Sequence, residues 1–486
     1  MEPAGSTFFY SFAFVLLLAP LYKGGNRPLP LLLLELTAIG FLLVLALRRP
    51  GGAIPALPRP LTIALAVMLG YPLLQLVPLP DALWRALPGR ADYAAVLERF
   101  AAPGSYPATG AISVVPAATE YGWLALLPPL ACLVSVQWLA PIHVVRLLSA
   151  MAVFTGVEAL LGLLQVGAGG DSIFYLRNTD AYGMATGTFV NRDHFAAMLA
   201  MMLPVIVGLL VFNIRHGRHE SRRRRGTEAN ILSQRVLVFA SAVLVLLCLL
   251  FTFSRSGIST ALVGLAFSSI LLVRAPSGLR HANLIVAALI VVGVALAALI
   301  GLGAIVEKFE PDQLLLHGGT RFAIYAATLR AAVEFLPFGS GLSTFASVFP
   351  RFQADVMGGY VDYAHNDYLQ LFMEVGLAAP VIVALLLAAY GTRMSELLQR
   401  ERGRSFTLLQ IAAGVGLLPA ILHSGFDFAL HMPANAMWFA TLAGVMLHPG
   451  VPDKPRQTRK RRESATGTAG PPDAGPVASG AGQPPP

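Results

Sequence analysis

The stretch NRDHFAAMLAMMLPVIVGLLVFNIRHGRHESRRRR, residues 191–225, decides the fold. From Phe195 to Phe212 no side chain carries a charge. At ~1.5 Å per residue that run approaches the ~30 Å hydrocarbon core of a bilayer. A polar tetrad, Asn191-Arg192-Asp193-His194, stands at one end, and the basic run Arg222 to Arg225 follows the other. A helix of this kind crosses a membrane with its basic end on the cytoplasmic side.

The rest of the chain repeats the pattern. Its 486 residues are 56% hydrophobic and 13% charged, against about 45–50% and about 25% in ordinary soluble domains. Apolar runs fall at about 7–21, 29–47, 61–78, 121–140, 147–166, 194–213, 236–252, 257–273, 283–303, 366–392, 407–422 and 432–448. The expectation is therefore an all-α polytopic membrane protein of about twelve transmembrane helices. A domain over residues 1–450 would carry them, with a large outer loop at about 304–365.

With the N-terminus cytoplasmic, the inner loops and tail hold 23 of the 35 Lys and Arg residues and the longer outer segments hold 12. Both basic clusters, Arg222 to Arg225 and Lys460 to Arg462, then lie inside, as the charge rule requires. Both termini are expected in the cytoplasm, as in a multi-pass inner-membrane protein. The first apolar run has no Lys or Arg ahead of it, unlike a cleaved signal peptide, and reads as a retained helix. The Pro-, Gly- and Ala-rich tail 451–486 is expected to be disordered, its basic head touching anionic lipid. The net charge of +9 sits in short loops between spans, so it points to membrane lipids and to no nucleic acid. Cys132 and Cys248 lie in separate apolar runs, which argues against a disulfide or metal framework.

Under this topology the polar motifs gather on the outer face. Asn191-Arg192-Asp193-His194 opens the sixth span and Ser254-Arg255-Ser256-Gly257 the eighth. His365-Asn366-Asp367-Tyr368 opens the tenth and His431 the twelfth. Helix N-termini present unpaired N–H groups and partial positive charge, which suit an anion. Arg192 and Arg255 add guanidinium forks that match phosphate oxygens. Arg255 lies in a tight turn between two apolar helices, and an ionisable group there is a functional candidate by default. Asn191 and Ser256 read equally as N-caps, and His365 alone as an interface residue. Glu35 and Glu158, inside spans, would serve a transport path or pair within the bundle.

In the large outer loop, Thr320 is placed to cap a helix from Arg321 to Phe335, stopped before Pro337. Phe322, Tyr325, Ala326, Leu329 and Val333 make an apolar stripe at helical spacing. Arg321 and Arg330 are about 180° apart on an ideal helix, so at most one of them faces a site.

The segments GTFVNRDHFA (187–196), FSRSGI (253–258), TRFAIYAATLRAAVEFLPFGSGLSTF (320–345) and YAHNDYLQLFMEVGL (363–377) together resemble the bacterial O-antigen ligase and polysaccharide polymerase superfamily. The likeness covers about 185–380. Ligases of that family carry His, then Asn, Ser or Gln, then nine residues and Gly; His365-Asn366 and Gly376 fit. Three positions on, where the pattern has Gly, Thr or Tyr, this chain has Ala379.

The resemblance implies a glycosyltransferase of lipopolysaccharide biosynthesis, with a glycan on undecaprenyl diphosphate as donor and lipid A core or another glycan as acceptor. It implies Arg192 and Arg255 as holders of the diphosphate, His365 as activator of the acceptor hydroxyl and Arg321 as the family's loop arginine. It also implies inversion at the anomeric carbon with no metal or cofactor. Asn191, His194, Asn366, Asp362 and His431 are secondary candidates. A polymerase, a protein O-oligosaccharyltransferase, a transporter of lipid-linked glycan and a non-catalytic assembly partner are the competing readings.

Overall fold

A computed structural model describes residues 5–47, 57–100, 109–169, 173–175, 183–220, 228–274, 311–353, 359–399 and 405–450, with 287, 288, 291 and 295. The helices are α1 Ser6–Leu18, α2 Pro28–Leu47, α3 Arg59–Gln75, α4 Asp81–Arg85, α5 Ala91–Phe100, α6 Pro116–Leu124, α7 Leu127–Gln137, α8 Pro141–Ala168 and α9 Arg192–Glu220. Then come α10 Glu228–Phe251, α11 Arg255–Arg274, α12 Pro311–Glu334, α13 Phe345–Val348, α14 Asp367–Val375, α15 Ala378–Gln399, α16 Ser405–His423 and α17 Pro433–Leu447. A two-stranded antiparallel ribbon, β1 Pro78–Pro80 against β2 Thr109–Ala111 with Leu79 opposite Gly110, is a small addition to the expected all-helical architecture.

Among the described residues six helical stretches are long and apolar enough to cross a membrane: Pro28–Leu47, Pro116–Gln137, Pro141–Ala168, Arg192–Ile214, Ala378–Gln399 and Phe406–His423. Ser6–Leu21, Arg235–Phe251 and Pro433–Leu447 are apolar but shorter. The expected span at 283–303 lies almost wholly outside the described residues, as does the tail 451–486. α9 is the hub. Its sequence is apolar on every side, as a helix must be when neighbours surround it. All of its apolar window is buried, and it packs on α8, α10, α11, α16 and α17.

Two expectations are corrected. The run 366–392 is not one helix: α14 stops at Val375 and α15 starts at Ala378. Gly376 makes the break, at φ +57, a conformation that costs a residue with a Cβ. Its N–H caps α14 by donating to the Phe372 carbonyl, and a Cβ there would overlap the Pro337 carbonyl. This is the glycine of the His-Asn-x₉-Gly spacing, and its role is to let two backbones cross.

The second correction concerns α12, which begins at Pro311, so Thr320 lies within it and caps nothing. Its apolar stripe is mostly outside: Phe322 is 71% and Val333 59% exposed. The buried face is Ile324, Ala327, Ala331, Ala332 and Phe335, packed on Phe345, Phe349 and Met373. Small residues there let α12 lie close over α14, a choice that a search for bulky apolar spacing overlooks.

Candidate active site

Arg192 owes its place to α8. Glu158 and Gln165 are seven residues apart, two helical turns, and so share a face. Gln165 Oε1 accepts from the N–H groups of Thr186 and Gly187, both at 2.9 Å, and its Nε2 donates to the Gly187 carbonyl at 2.7 Å. Glu158 accepts from the Thr188 N–H at 3.0 Å and hydroxyl at 3.1 Å. Glu158 thereby ties α8 to the loop that precedes α9. The loop so held delivers Asn191, whose Oδ1 caps α9 by accepting from the Asp193 N–H at 2.7 Å. Arg192 is then the first helical residue.

Arg255 is likewise the first residue of α11. The cap is Ser254 rather than Ser256: its Oγ accepts from the Gly257 N–H at 3.1 Å. Burial, then the charges of Arg321 and Arg192, lower the Arg255 pKa, and Asp193 opposes them. The three guanidiniums therefore share one field. Arg321 reaches into it from α12, with Nη2 3.5 Å from Asp193 Oδ2 and Nη1 donating to the Phe426 carbonyl at 2.8 Å. Arg192 Nη1 donates to the Met184 sulfur at 2.7 Å, and a thioether cancels none of its charge. Three cations beside the single carboxylate of Asp193 leave a net positive charge, and guanidinium forks match the oxygens of a phosphate-like anion.

Arg330, on the far side of α12, is exposed and directs Nη2 to the Phe352 carbonyl at 3.4 Å. Arg321→Ala is expected to slow catalysis at this site about 10²-fold, the low end of what removing one preorganised donor at developing charge costs. Arg330→Ala should stay within about twofold, as expected for a surface substitution. Initial rates in membranes with matched protein amounts check the pair. Equal losses would remove Arg321 from the site.

His365 sits at φ +51, a left-handed backbone uncommon for a non-glycine residue and frequent where function holds it. Its carbonyl accepts from the Tyr325 hydroxyl at 2.8 Å, one turn along α12 from Arg321. The next residue, Asn366, caps α14 by accepting from the Leu369 N–H and donates Nδ2 to the Gly425 carbonyl, both at 3.0 Å. The Asp367 N–H donates to the Ser424 carbonyl at 2.8 Å. The ring is anchored as well: Nδ1 lies 3.0 Å from Oδ1 of Asp427, which is fully buried. Burial alone would raise the Asp427 pKa, but the hydrogen bond from His365 and the nearby His423 and His194 hold it well below the usual carboxylate range. An ionised carboxylate only accepts, so Nδ1 of His365 carries the proton and Nε2 is the basic nitrogen.

Asp427 escaped the sequence reading, which took only His431 from HSGFDFALH (423–431). That segment is a polar island between two apolar helices, a signal that favours function. Tyr325 was placed in the apolar stripe, yet its hydroxyl turns to His365. His194 is buried with its ring edge-on to Phe428 at 4.5 Å, beside Asp427 rather than among the arginines. His431 pairs with Asp367 at 2.6 Å, while Asp362 is exposed beside Tyr363. Among the described residues no group of three His, Cys, Asp or Glu is placed to hold a metal ion.

No curated protein matches the chain. The O-antigen ligase family model matches residues 240–386, which include Arg255, Arg321, His365 and Gly376. That match, over about a third of the chain, supports the likeness of this stretch to the O-antigen ligase and polysaccharide polymerase superfamily.

Proposed function

We propose that this chain transfers a glycan from undecaprenyl diphosphate to an acceptor hydroxyl at the periplasmic face of a bacterial inner membrane, as an O-antigen ligase, with inversion and without a metal. The observation that carries the reading is Arg321 placed 3.5 Å from Asp193, next to Arg192, and one turn along α12 from the Tyr325 that holds the His365 carbonyl, with His365 Nδ1 3.0 Å from the buried Asp427 carboxylate. The acceptor oxygen attacks the anomeric carbon as its proton passes to Nε2 of His365. The bond from that carbon to the diphosphate oxygen breaks, and undecaprenyl diphosphate leaves with the bonding electrons. Arg192, Arg255 and Arg321 stabilise the charge that builds on the leaving oxygen. The imidazolium, steadied by Asp427, then gives its proton to water. Attack opposite the leaving group inverts the centre. The charge bias of the loops supports the outer face.

A second reading, polymerase, is favoured by Ala379, the departure from the ligase pattern, buried near the start of α15. Purified protein with a lipid-diphosphate-linked glycan, with and without lipid A core and in EDTA, separates the two. Glycan on the core supports the ligase reading, and a ladder of longer lipid-linked chains without core makes the protein a polymerase. No product with either acceptor would overturn both. Activity lost in EDTA and restored by Mg²⁺ would overturn the metal-free mechanism.

A further inference from the structure

Two His–Asp pairs tie the same two segments together in opposite senses. His365 of the first segment holds Asp427 of the second, and Asp367 of the first holds His431 of the second. Between them Phe428 stacks on Tyr363, with ring centroids 4.0 Å apart and planes 8° from parallel. The mechanism above gives the His431 pair no part.

Its hydrogen bonds fix its proton. The Ala364 N–H donates to Gln370 Oε1 at 3.0 Å, which leaves Gln370 Nε2 as the donating end of the amide. That nitrogen donates to Glu374 Oε1 at 3.1 Å and lies 3.2 Å from Nε2 of His431. Nε2 of His431 must therefore be the acceptor, and Nδ1–H donates to Asp367. A proton added at Nε2 would face the Gln370 amide hydrogens. Turning the amide would set its oxygen against Glu374 and its N–H against the Ala364 N–H, losing two hydrogen bonds at once. Ala364 immediately precedes His365, whose left-handed backbone depends on its neighbours for support.

We propose that His431 and Gln370 form a positioning pair for His365, in which the neutral ring of His431 sets the Gln370 amide and Gln370 holds the Tyr363–Ala364 peptide, one residue ahead of His365. The inference rests on His365 as the base. The turn bearing His431 packs on α9, α14, α16 and α17. α17 has no ionisable residue, and Tyr363 offers only its ring edge at 5.4 Å. Of Asp193 and His194 on α9, Asp367 and Glu374 on α14 and His423 on α16, only Asp367 and Glu374 act on its charge. Burial lowers its pKa, but these two carboxylates outweigh burial and raise it above the ordinary imidazole value. The neutral, positioning form is thus lost as pH falls, earlier than for an exposed histidine.

The test uses two variants of the full chain, His431→Gln, whose amide oxygen accepts as Nε2 does at every pH, and Gln370→Met, which cuts the link. In wild type the acid limb of log kcat should approach a slope of about 2, one proton at each histidine, and in both variants about 1. Gln370→Met should lower kcat about tenfold with KM for the donor unchanged, as for a group that acts only in the transition state. Unchanged slopes, or KM rising with kcat intact, would overturn the proposal. A second readout needs no activity: in protein with ¹⁵N-labelled histidine, the His365 ring signals should shift as His431 titrates in wild type and not in His431→Gln. Absence of that coupling refutes the positioning role, whereas absence of product from wild type refutes only the function proposed above.

Discussion

His365→Ala is expected to slow glycan transfer about 10³-fold, within the ~10²–10⁴ that a positioned acid–base group contributes, while the protein inserts and purifies in normal amount. An acceptor hydroxyl is a weak nucleophile, and without a base it must attack while its proton stays in place. The ring is replaceable in packing terms, since His365 is partly exposed and its carbonyl and the nearby Ala364 and Asp367 N–H groups are held by Tyr325, Gln370 and Ser424 whatever the side chain. The neighbouring carboxylate divides orientation from charge. In Asp427→Asn the amide oxygen can still accept from His365 Nδ1 and the Phe428 N–H, as Oδ1 does now. Only the negative charge that steadies the imidazolium is gone. The expected loss is about tenfold, the difference between a charge-assisted and a neutral hydrogen bond. A full rate in His365→Ala would end the base assignment, and a larger loss in Asp427→Asn than in His365→Ala would mean that Asp427 chiefly holds the fold.

The long apolar helices were legible because their signal is local. A run such as 195–212 announces itself by composition, and Arg192, Arg255 and His365 stand out as the polar residues at the mouths of such runs. The break at Gly376 was not legible, because hydropathy stays high across 366–392 and the cause is a backbone crossing with Pro337. Asp427 was hidden for a related reason. Its partner is 62 residues away in sequence, so no spacing rule joins them, and a lone aspartate reads as loop polarity until the fold places it against a histidine. The direction of α12 was half legible. The separation of Arg321 from Arg330 follows from helical geometry alone, but the assignment of Arg321 to the site needed Asp193 and Phe426 from elements far along the chain. The tetrad at 191–194 also divided in a way that period alone does not give: Arg192 turns to the cation cluster, while His194 turns inward to Phe428 and Asp427.

Arg255→Ala should slow transfer about 10²-fold, the low end of the range for removing one preorganised donor from a site of developing negative charge. Burial first, then the charges of Arg321 and Arg192, lower the Arg255 pKa, and a bound anion would offset both. A diphosphate in the ground state draws on all three arginines, so part of the loss should appear as a higher KM for the donor. The share in kcat reports the charge gained as the sugar departs. Arg255→Lys keeps the charge but not the two-pronged fork, and should recover only part of the rate. Because Arg192 and Arg255 act on one ligand, the double variant should lose less than the product of the single losses. A normal rate in Arg255→Ala, together with activity abolished by substitution of Glu35 and Glu158, would move the chemistry from the rim to the membrane interior. The chain would then be a carrier of lipid-linked glycan, for transporters place their sites near the midplane.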